Sequence, residues 1–217
     1  GGLRLVGGTL AFASGASGSG AVTFAADSSL RWSGVNITDL SARLAAVPTG
    51  VIATLDVGAN DVTFASGLAG AGVWRKAGSG ALTLSAVSAH AGSVDVAAGT
   101  LRLGAASALP SVASLAVASG ATLDLDGNAL TLSRLAGLGA VTTASAATLT
   151  VGAAAGSDIG SLGGALALVK QGAGALTVTG VADYSGATTI SAGRLVLSSG
   201  SLAGAIDGVG TLVKSET

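Results

Sequence analysis

Two long runs of this sequence repeat each other at a distance of 94 positions, and this constrains the fold more than any other feature. Residues 76–103 read KAGSGALTLSAVSAHAGSVDVAAGTLRL, and residues 170–197 read KQGAGALTVTGVADYSGATTISAGRLVL. With their flanks the copies cover 70–103 and 164–197, and a partial third copy occupies 208–217. Repetition on this scale is typical of proteins in which each unit buries its apolar face only against its neighbours.

The repeats lie in a chain of 217 residues that is rich in small aliphatic residues. Apolar residues make up 49% and aromatic residues only 3%, and there are 36 glycines and no cysteine. Charged residues are 10%, against the usual quarter, whereas disordered chains combine low hydrophobicity with high charge. The composition therefore predicts a folded chain whose core consists of thin aliphatic layers.

The net charge of −1 indicates neither a nucleic acid partner nor an anionic membrane surface. No apolar run reaches the length of a membrane-spanning helix. Because the sequence does not begin with Met, we expect it to be a piece of a longer or processed chain, with any export signal outside it.

One short strand template recurs along the chain. Two apolar residues flank a polar or small one, as in Leu82-Thr83-Leu84, Leu101-Arg102-Leu103 and Leu123-Asp124-Leu125. In a pleated strand the outer two residues face a core and the middle one faces solvent. A strand this short buries too little apolar surface to be stable alone, so it needs neighbours of the same shape.

The spacing of these strands, 8–12 residues, suits a sandwich, a barrel or a solenoid. The long repeat, the small inward residues and the scarcity of hairpin turns such as Asp126-Gly127 favour the solenoid. We predict an all-β, right-handed, single-stranded parallel β-helix over residues 1–217, with about three short strands per coil and nine or ten coils.

Two segments interrupt this pattern. Residues 36–48 place Ile37, Leu40, Leu44 and Val47 at helical spacing before Pro48, which fits a short helix or irregular excursion. A coil with a longer turn explains them equally well. The Gly/Ser-rich residues 14–20 are interpreted as a turn cluster rather than a linker, since strand patterns resume on both sides.

The run Lys-x-Gly-x-Gly-x-Leu-Thr-Leu/Val, with its following Ala-Gly-Thr/Arg-Leu, resembles the passenger-associated transport repeat of bacterial autotransporters, the type V secretion family. The first copy departs from the usual pattern at Ala86 and at His90, where a glycine and an aromatic residue are usual. The resemblance implies a β-helical stalk that is exported through a C-terminal outer-membrane β-barrel of the same polypeptide. It implies an extracellular or cell-surface location, with the passenger attached to the outer membrane or released. The repeats are expected to support translocation and folding outside the cell.

Residues with catalytic potential are few, and we predict no catalytic, cofactor-binding or metal-binding residues and no cofactor. His90, the one histidine, occupies the position of Tyr184 in the second copy, which favours packing. Residues 124–128 (DLDGN) resemble the start of an EF-hand loop, but Ala129 and Leu135 stand where that loop needs Gly and Glu. A single weak calcium contact at this turn is the alternative to a simple Asx-rich turn.

The remaining signals are interpreted structurally. The lysines, Lys76, Lys170 and Lys214, share one repeat position, which indicates either a solvated turn residue or a ladder of basic charge, and we favour the first. The Gly-x-Gly pairs at 70–72, 172–174 and 208–210 are expected to be turn glycines with positive φ. Trp32 and Trp74 are expected to fill or cap the core.

The leading functional hypothesis is a non-enzymatic stalk. An adhesin that binds a host surface or a sister-cell passenger is the alternative, and a polysaccharide-degrading enzyme is a third. A row of clustered Asp carboxylates would favour the enzyme, whereas a flat polar Thr/Asn ladder would favour self-association.

Overall fold

Strands in this chain pair in parallel with strands that follow roughly 20 positions later, as Leu82 does with Leu101 and Leu149 with Leu168. A computed structural model describes residues 1–15, 18–109, 114–153 and 156–215. Across these residues the chain forms an all-β solenoid of about ten turns, which confirms the predicted parallel β-helix. Strand pairing does not test the right-handed sense of the coil, which stays a prediction.

The chain divides into two units, residues 1–112 and 113–217. The strands of the first unit are short, mostly three to five residues. They are β1 (Leu3–Leu5), β2 (Thr9–Phe12), β3 (Val22–Phe24), β4 (Ser28–Trp32), β5 (Ile52–Asp56), β6 (Val62–Phe64), β7 (Ala69–Gly70), β8 (Val73–Ala77), β9 (Ala81–Leu84), β10 (Ala89–His90), β11 (Ser93–Val96) and β12 (Thr100–Leu103).

These strands stack into parallel ladders on the sides of the first unit. One ladder runs β2-β4-β5-β8-β11 and another runs β6-β9-β12, while β1 pairs with β3 and β7 with β10. Aromatic rings fill the centre, since Phe12 and Phe64 lie 5.0 and 6.1 Å from Trp32, measured between ring centroids. Trp74 meets Phe24 edge-on at 5.6 Å, and both tryptophans are buried, as predicted.

The second unit also consists of short parallel strands, with two longer ones among them. Its strands are β13 (Leu115–Val117), β14 (Thr122–Asp124), β15 (Leu130–Leu132), β16 (Leu135–Ala136), β17 (Ala140–Thr142), β18 (Ala147–Val151), β19 (Ser157–Ile159), β20 (Ser161–Gly164), β21 (Leu166–Lys170), β22 (Ala175–Tyr184), β23 (Thr188–Ile190), β24 (Arg194–Leu202), β25 (Ile206–Gly208) and β26 (Thr211–Lys214).

Two ladders carry most of the second unit. One runs β14-β17-β20-β22-β24-β26, with β19 also on β22, and the other runs β15-β18-β21-β23-β25. The core between them is aliphatic, and Tyr184 is the only aromatic residue of this unit. The alternation predicted from the triplets is observed: Leu101 and Leu103 are buried, and Arg102 between them is exposed.

The segment 36–48 is an irregular excursion and not an α-helix. Its helical part is a single 3₁₀ turn at Ser41–Arg43, in which Leu44 N–H donates to the Ser41 carbonyl. Isolated parallel bridges join Leu44 to Val22 and Val47 to Gly70. Neighbouring coils thus satisfy the backbone here, which is why the helical spacing of the apolar residues does not produce a helix.

Within the described residues no helix is long and apolar enough to cross a membrane. The predicted turn cluster at 14–20 lies partly outside them, at residues 16 and 17.

Candidate functional site

The lysines of the two repeats are buried, which contradicts the predicted solvated turn residue and also the alternative of a basic ladder. Lys76 is 2% exposed and Lys170 is 0% exposed, whereas Lys214 is exposed. Strand alternation explains why both buried side chains point inward: Lys76 follows buried Trp74 by two positions, and Lys170 follows buried Leu168 by two. This parity was readable in the sequence, but Lys214 shares it, since it follows Leu212 by two and pairs with buried Leu197. Alternation alone therefore does not separate the buried lysines from the exposed one.

Backbone carbonyl groups surround each buried ammonium. Lys76 Nζ donates to the carbonyls of Gly78 and Gly80, both at 2.6 Å, and of Ala98 at 2.8 Å, with Ala77 at 3.3 Å. Gly78 and Gly80 belong to the turn directly after the lysine, and Ala98 belongs to the corresponding turn one coil later. The ammonium therefore joins two successive coils.

The second repeat reproduces this arrangement. Lys170 Nζ donates to the carbonyls of Gln171 at 2.6 Å, Gly172 at 2.7 Å and Ala192 at 3.2 Å. Ala192, like Ala98, lies 22 positions after its lysine. We call each set, Lys76 with 77–80 and 98 or Lys170 with 171–172 and 192, a lysine clamp.

Burial sets the protonation of these groups. Burial lowers the pKa of Lys76 to about 8, and the nearby carboxylates of Asp56 and Asp61 act in the opposite sense. Burial also lowers the pKa of Lys170. With a pKa of about 8, Lys76 is mostly protonated at pH 7, so an ammonium with three N–H donors occupies the first clamp.

Glycine is required where the turns of successive coils stack. Gly193 has φ +69°, and a Cβ built there would lie 2.6 Å from the Gly172 carbonyl oxygen, which belongs to a clamp. Gly99 has φ +64°, and its Cβ would lie 2.6 Å from Lys76 Nζ. In the predicted Gly-x-Gly turns the first glycine of each pair has positive φ, namely Gly70, Gly172 and Gly208. The second glycine of each pair does not, so that half of the prediction is wrong. At Gly72 a Cβ would clash with the Pro48 carbonyl oxygen, so the close approach of two backbone segments explains that glycine.

His90 and Tyr184 occupy equivalent buried positions, as their alignment predicted. Tyr184 shares a hydrogen bond of 2.8 Å with the Thr188 hydroxyl, and burial raises the pKa of Tyr184 while this bond opposes the shift. His90 Nε2 lies 3.1 Å from the Ser93 carbonyl oxygen, and Nδ1 has no hydrogen-bond partner in the described structure. Burial lowers the pKa of His90, against the effect of the Ser93 carbonyl. These surroundings fit a packing role.

Several Asp side chains link coils, a role that sequence reasoning missed. Asp27 accepts from the Ile52 N–H at 2.8 Å, Asp61 from the Ala81 N–H at 2.8 Å, and Asp39 from the Ala65 N–H at 3.0 Å. Each acceptor lies one coil before its donor, so these carboxylates satisfy the backbone of the next coil.

The EF-hand-like segment forms a turn. Asp124 accepts from the Asp126 N–H at 3.0 Å, Gly127 has φ +78°, and its N–H donates to Thr143 Oγ1 at 3.1 Å. The Asx-rich turn interpretation is therefore observed. Among the described residues, no three His, Asp or Glu side chains are grouped to hold a metal. The predicted lack of metal, cofactor and catalytic residues stays a prediction.

One outer face carries a ladder of small residues. On β15-β18-β21-β23-β25, register pairs align a column of outward residues. We call this column the threonine face: Thr131, Thr150, Val169, Thr189 and Asp207. A shallow open groove of about 290 Å³, lined by small residues such as Ala129, Ala147 and Ala167, runs beside it.

Comparison with known proteins matches both repeats to one family model. The family model of the passenger-associated-transport-repeat matches residues 75–103 and 168–197, inside the two predicted copies. The partial copy at 208–217 stays a prediction, as does the single domain over 1–217.

Over 155 residues, 68% of this chain, the sequence is 38% identical to the adhesin BmaC autotransporter of Brucella suis biovar 1 (strain 1330). The chain spans only 4% of that relative's length. No solved structure matches the chain. The chain therefore belongs to the passenger domains of autotransporters, which are exposed at the cell surface or outside the cell, and its stacked coils carry two passenger-associated transport repeats.

Proposed function

We propose that this segment is a non-enzymatic stalk that supports translocation of the passenger and its folding outside the outer membrane. The observation that carries the proposal is coil-to-coil bonding in both repeats, in which buried lysines and stacked glycine turns join each coil to the next. In a solenoid, stability is a sum of unit and neighbour terms, so well-joined coils template the next ones. A folded, strongly joined segment outside the membrane would resist sliding back.

The stalk requires a C-terminal outer-membrane β-barrel elsewhere in the same polypeptide, through which the passenger is exported. After export, the proposal allows the passenger either to stay attached to the outer membrane or to be released from it. Neither step needs a cofactor or a catalytic residue in this segment.

Adhesion is the second candidate, and the threonine face is the observation that favours it. The five residues of that face line one parallel ladder, from Thr131 to Asp207, and could meet a host surface or a sister-cell passenger. The similar autotransporter of Brucella suis is named an adhesin, which agrees with this candidate.

Size favours the stalk over adhesion for this segment. Five strands about 4.8 Å apart make a face of only a few hundred Å². A stable interface buries about 1,200–2,000 Å² in total, which is about 800 Å² on each partner. Adhesion through this face would therefore need many copies acting together along a longer array.

Two variants of the full-length passenger, expressed on cells, separate the proposals. Gly99→Ala with Gly193→Ala disturbs coil stacking, whereas Thr150→Lys with Thr189→Lys places charge on the threonine face without touching the core. Surface display and cell clumping are measured together. The stalk predicts that the glycine variant loses display and the lysine variant keeps both properties. Full display with lost clumping in the lysine variant would support the adhesin, and full display in the glycine variant would contradict the stalk.

A further inference from the structure

The two lysine clamps have the composition of a cation site. Around Lys76 Nζ, three carbonyl oxygens lie at 2.6–2.8 Å and a fourth at 3.3 Å. Around Lys170 Nζ, three lie at 2.6–3.2 Å. Converging neutral carbonyl oxygens are the groups that replace the hydration shell of K⁺ in channel filters.

The charge of each site selects the class of cation. Neither buried lysine has a carboxylate within ion-pair distance among the described residues, although Asp56 and Asp61 lie near enough to Lys76 to raise its pKa against the stronger effect of burial. Ca²⁺ takes six to eight oxygen ligands at about 2.3–2.6 Å, usually with carboxylates among them. Three or four neutral oxygens at longer distances instead suit an ammonium group or a large monovalent cation.

We propose that each repeat contains a carbonyl cation site between successive turns, which the chain's own lysine ammonium fills, and which accepts a primary alkylammonium, NH₄⁺ or K⁺ when the lysine side chain is removed. The site bonds the turn that follows the lysine to the turn one coil later. It goes beyond the proposed stalk function, because it concerns the binding chemistry of the turns in the purified chain.

The geometry of the clamps explains why lysine fits these two positions. An ammonium has three donors and no acceptor, which matches three carbonyl oxygens and leaves no N–H unpaired. Buried carbonyl groups that lose this donor are left unsatisfied, which costs stability. Arginine would place a wider planar group between turns whose glycines already exclude a Cβ, so it does not substitute for lysine.

Chemical rescue tests the proposal on the 217-residue chain. Lys170→Ala removes three methylenes and the amine, and n-propylammonium supplies the same atoms. Lys214→Ala is the matched control, because Lys214 is exposed. Urea unfolding is followed with n-propylammonium, ammonium, potassium, sodium or tetramethylammonium chloride at equal ionic strength.

We expect Lys170→Ala to lower the urea midpoint more than Lys214→Ala. n-Propylammonium, and less strongly ammonium or potassium, should restore the midpoint of Lys170→Ala alone. Tetramethylammonium has no N–H donor and should not restore it. Equal effects of all five salts, rescue by none, or equal midpoints for the two variants would overturn the proposal.

A second measurement needs no variant and covers the case in which Lys170→Ala fails to fold. The wild-type chain is treated with an amine-acylating reagent at pH 7, and peptides are mapped by mass spectrometry. Lys76 and Lys170 should react on the order of 100-fold more slowly than Lys214, because reaction requires local opening of the coils. Similar rates at all three lysines would rule out the clamps.

Discussion

Replacing Gly193 by alanine tests the idea that turn stacking between coils determines where glycine is required. Gly193 has φ +69°, and a Cβ there would meet the backbone carbonyl oxygens of Gly172 at 2.6 Å and Ala173 at 2.8 Å, with that of Gly174 closer still. Gly120 is the matched control in the same unit, because it has φ +78° but nothing within 4 Å of its Cβ position.

Both substitutions change the free energy of unfolding through the same backbone effects. Only Gly193→Ala also brings a Cβ into close contact with neighbouring carbonyl groups. A left-handed alanine costs about 1–2 kcal/mol at either site, and the lower entropy of the unfolded chain offsets about 0.4–1 kcal/mol of it. Only Gly193→Ala must also push backbone atoms apart, and overpacking typically costs about 1–3 kcal/mol. We therefore expect Gly193→Ala to be less stable than Gly120→Ala by about 1–3 kcal/mol.

Urea unfolding of both variants measures this difference, with hydrogen exchange of peptides from 168–215 locating the effect. The slope of free energy against urea concentration should stay constant, so the midpoints report stability. Equal midpoints for the two variants would refute the stacking argument, since backbone strain alone would then explain both glycines.

Three further outcomes are expected. Acidification should destabilise the chain through His90: its folded pKa is lowered, so the unfolded state binds more protons below about pH 6.5, and stability falls by up to about 1.4 kcal/mol per pH unit. His90→Tyr with Val94→Thr, which copies the Tyr184–Thr188 pair, should remove this pH dependence in urea titrations, and an unchanged profile would assign it to other groups. Trp74→Ala should cost about 3–5 kcal/mol in unfolding free energy because it empties the core. Arg75→Ala, on the outward face of the same strand, should cost under about 1 kcal/mol despite its ion pair with Asp95, and a larger loss would contradict the outward placement.

The architecture was predictable because it depends on the alternation of apolar and polar residues and on the repeats, and both can be seen in the sequence alone. Leu82, Thr83 and Leu84 show by themselves which side chains turn inward, and the copies at 70–103 and 164–197 show that coils stack on like coils. The segment 36–48 was less predictable, since its helical spacing competes with bridges to Val22 and Gly70 that lie far away in sequence.

The lysine clamps depended on tertiary structure. Alternation shows that Lys76 and Lys170 point inward, but their acceptors Ala98 and Ala192 lie one coil later. Coil length varies, from Leu30 paired with Leu55 to Leu195 paired with Leu212, so no fixed period reveals which turns meet. The sequence by itself therefore determined the strands, the stacking and the family. Only the packing of one coil on the next decided which charges are buried and which glycines cannot change, because those contacts form across the coil and not along the chain.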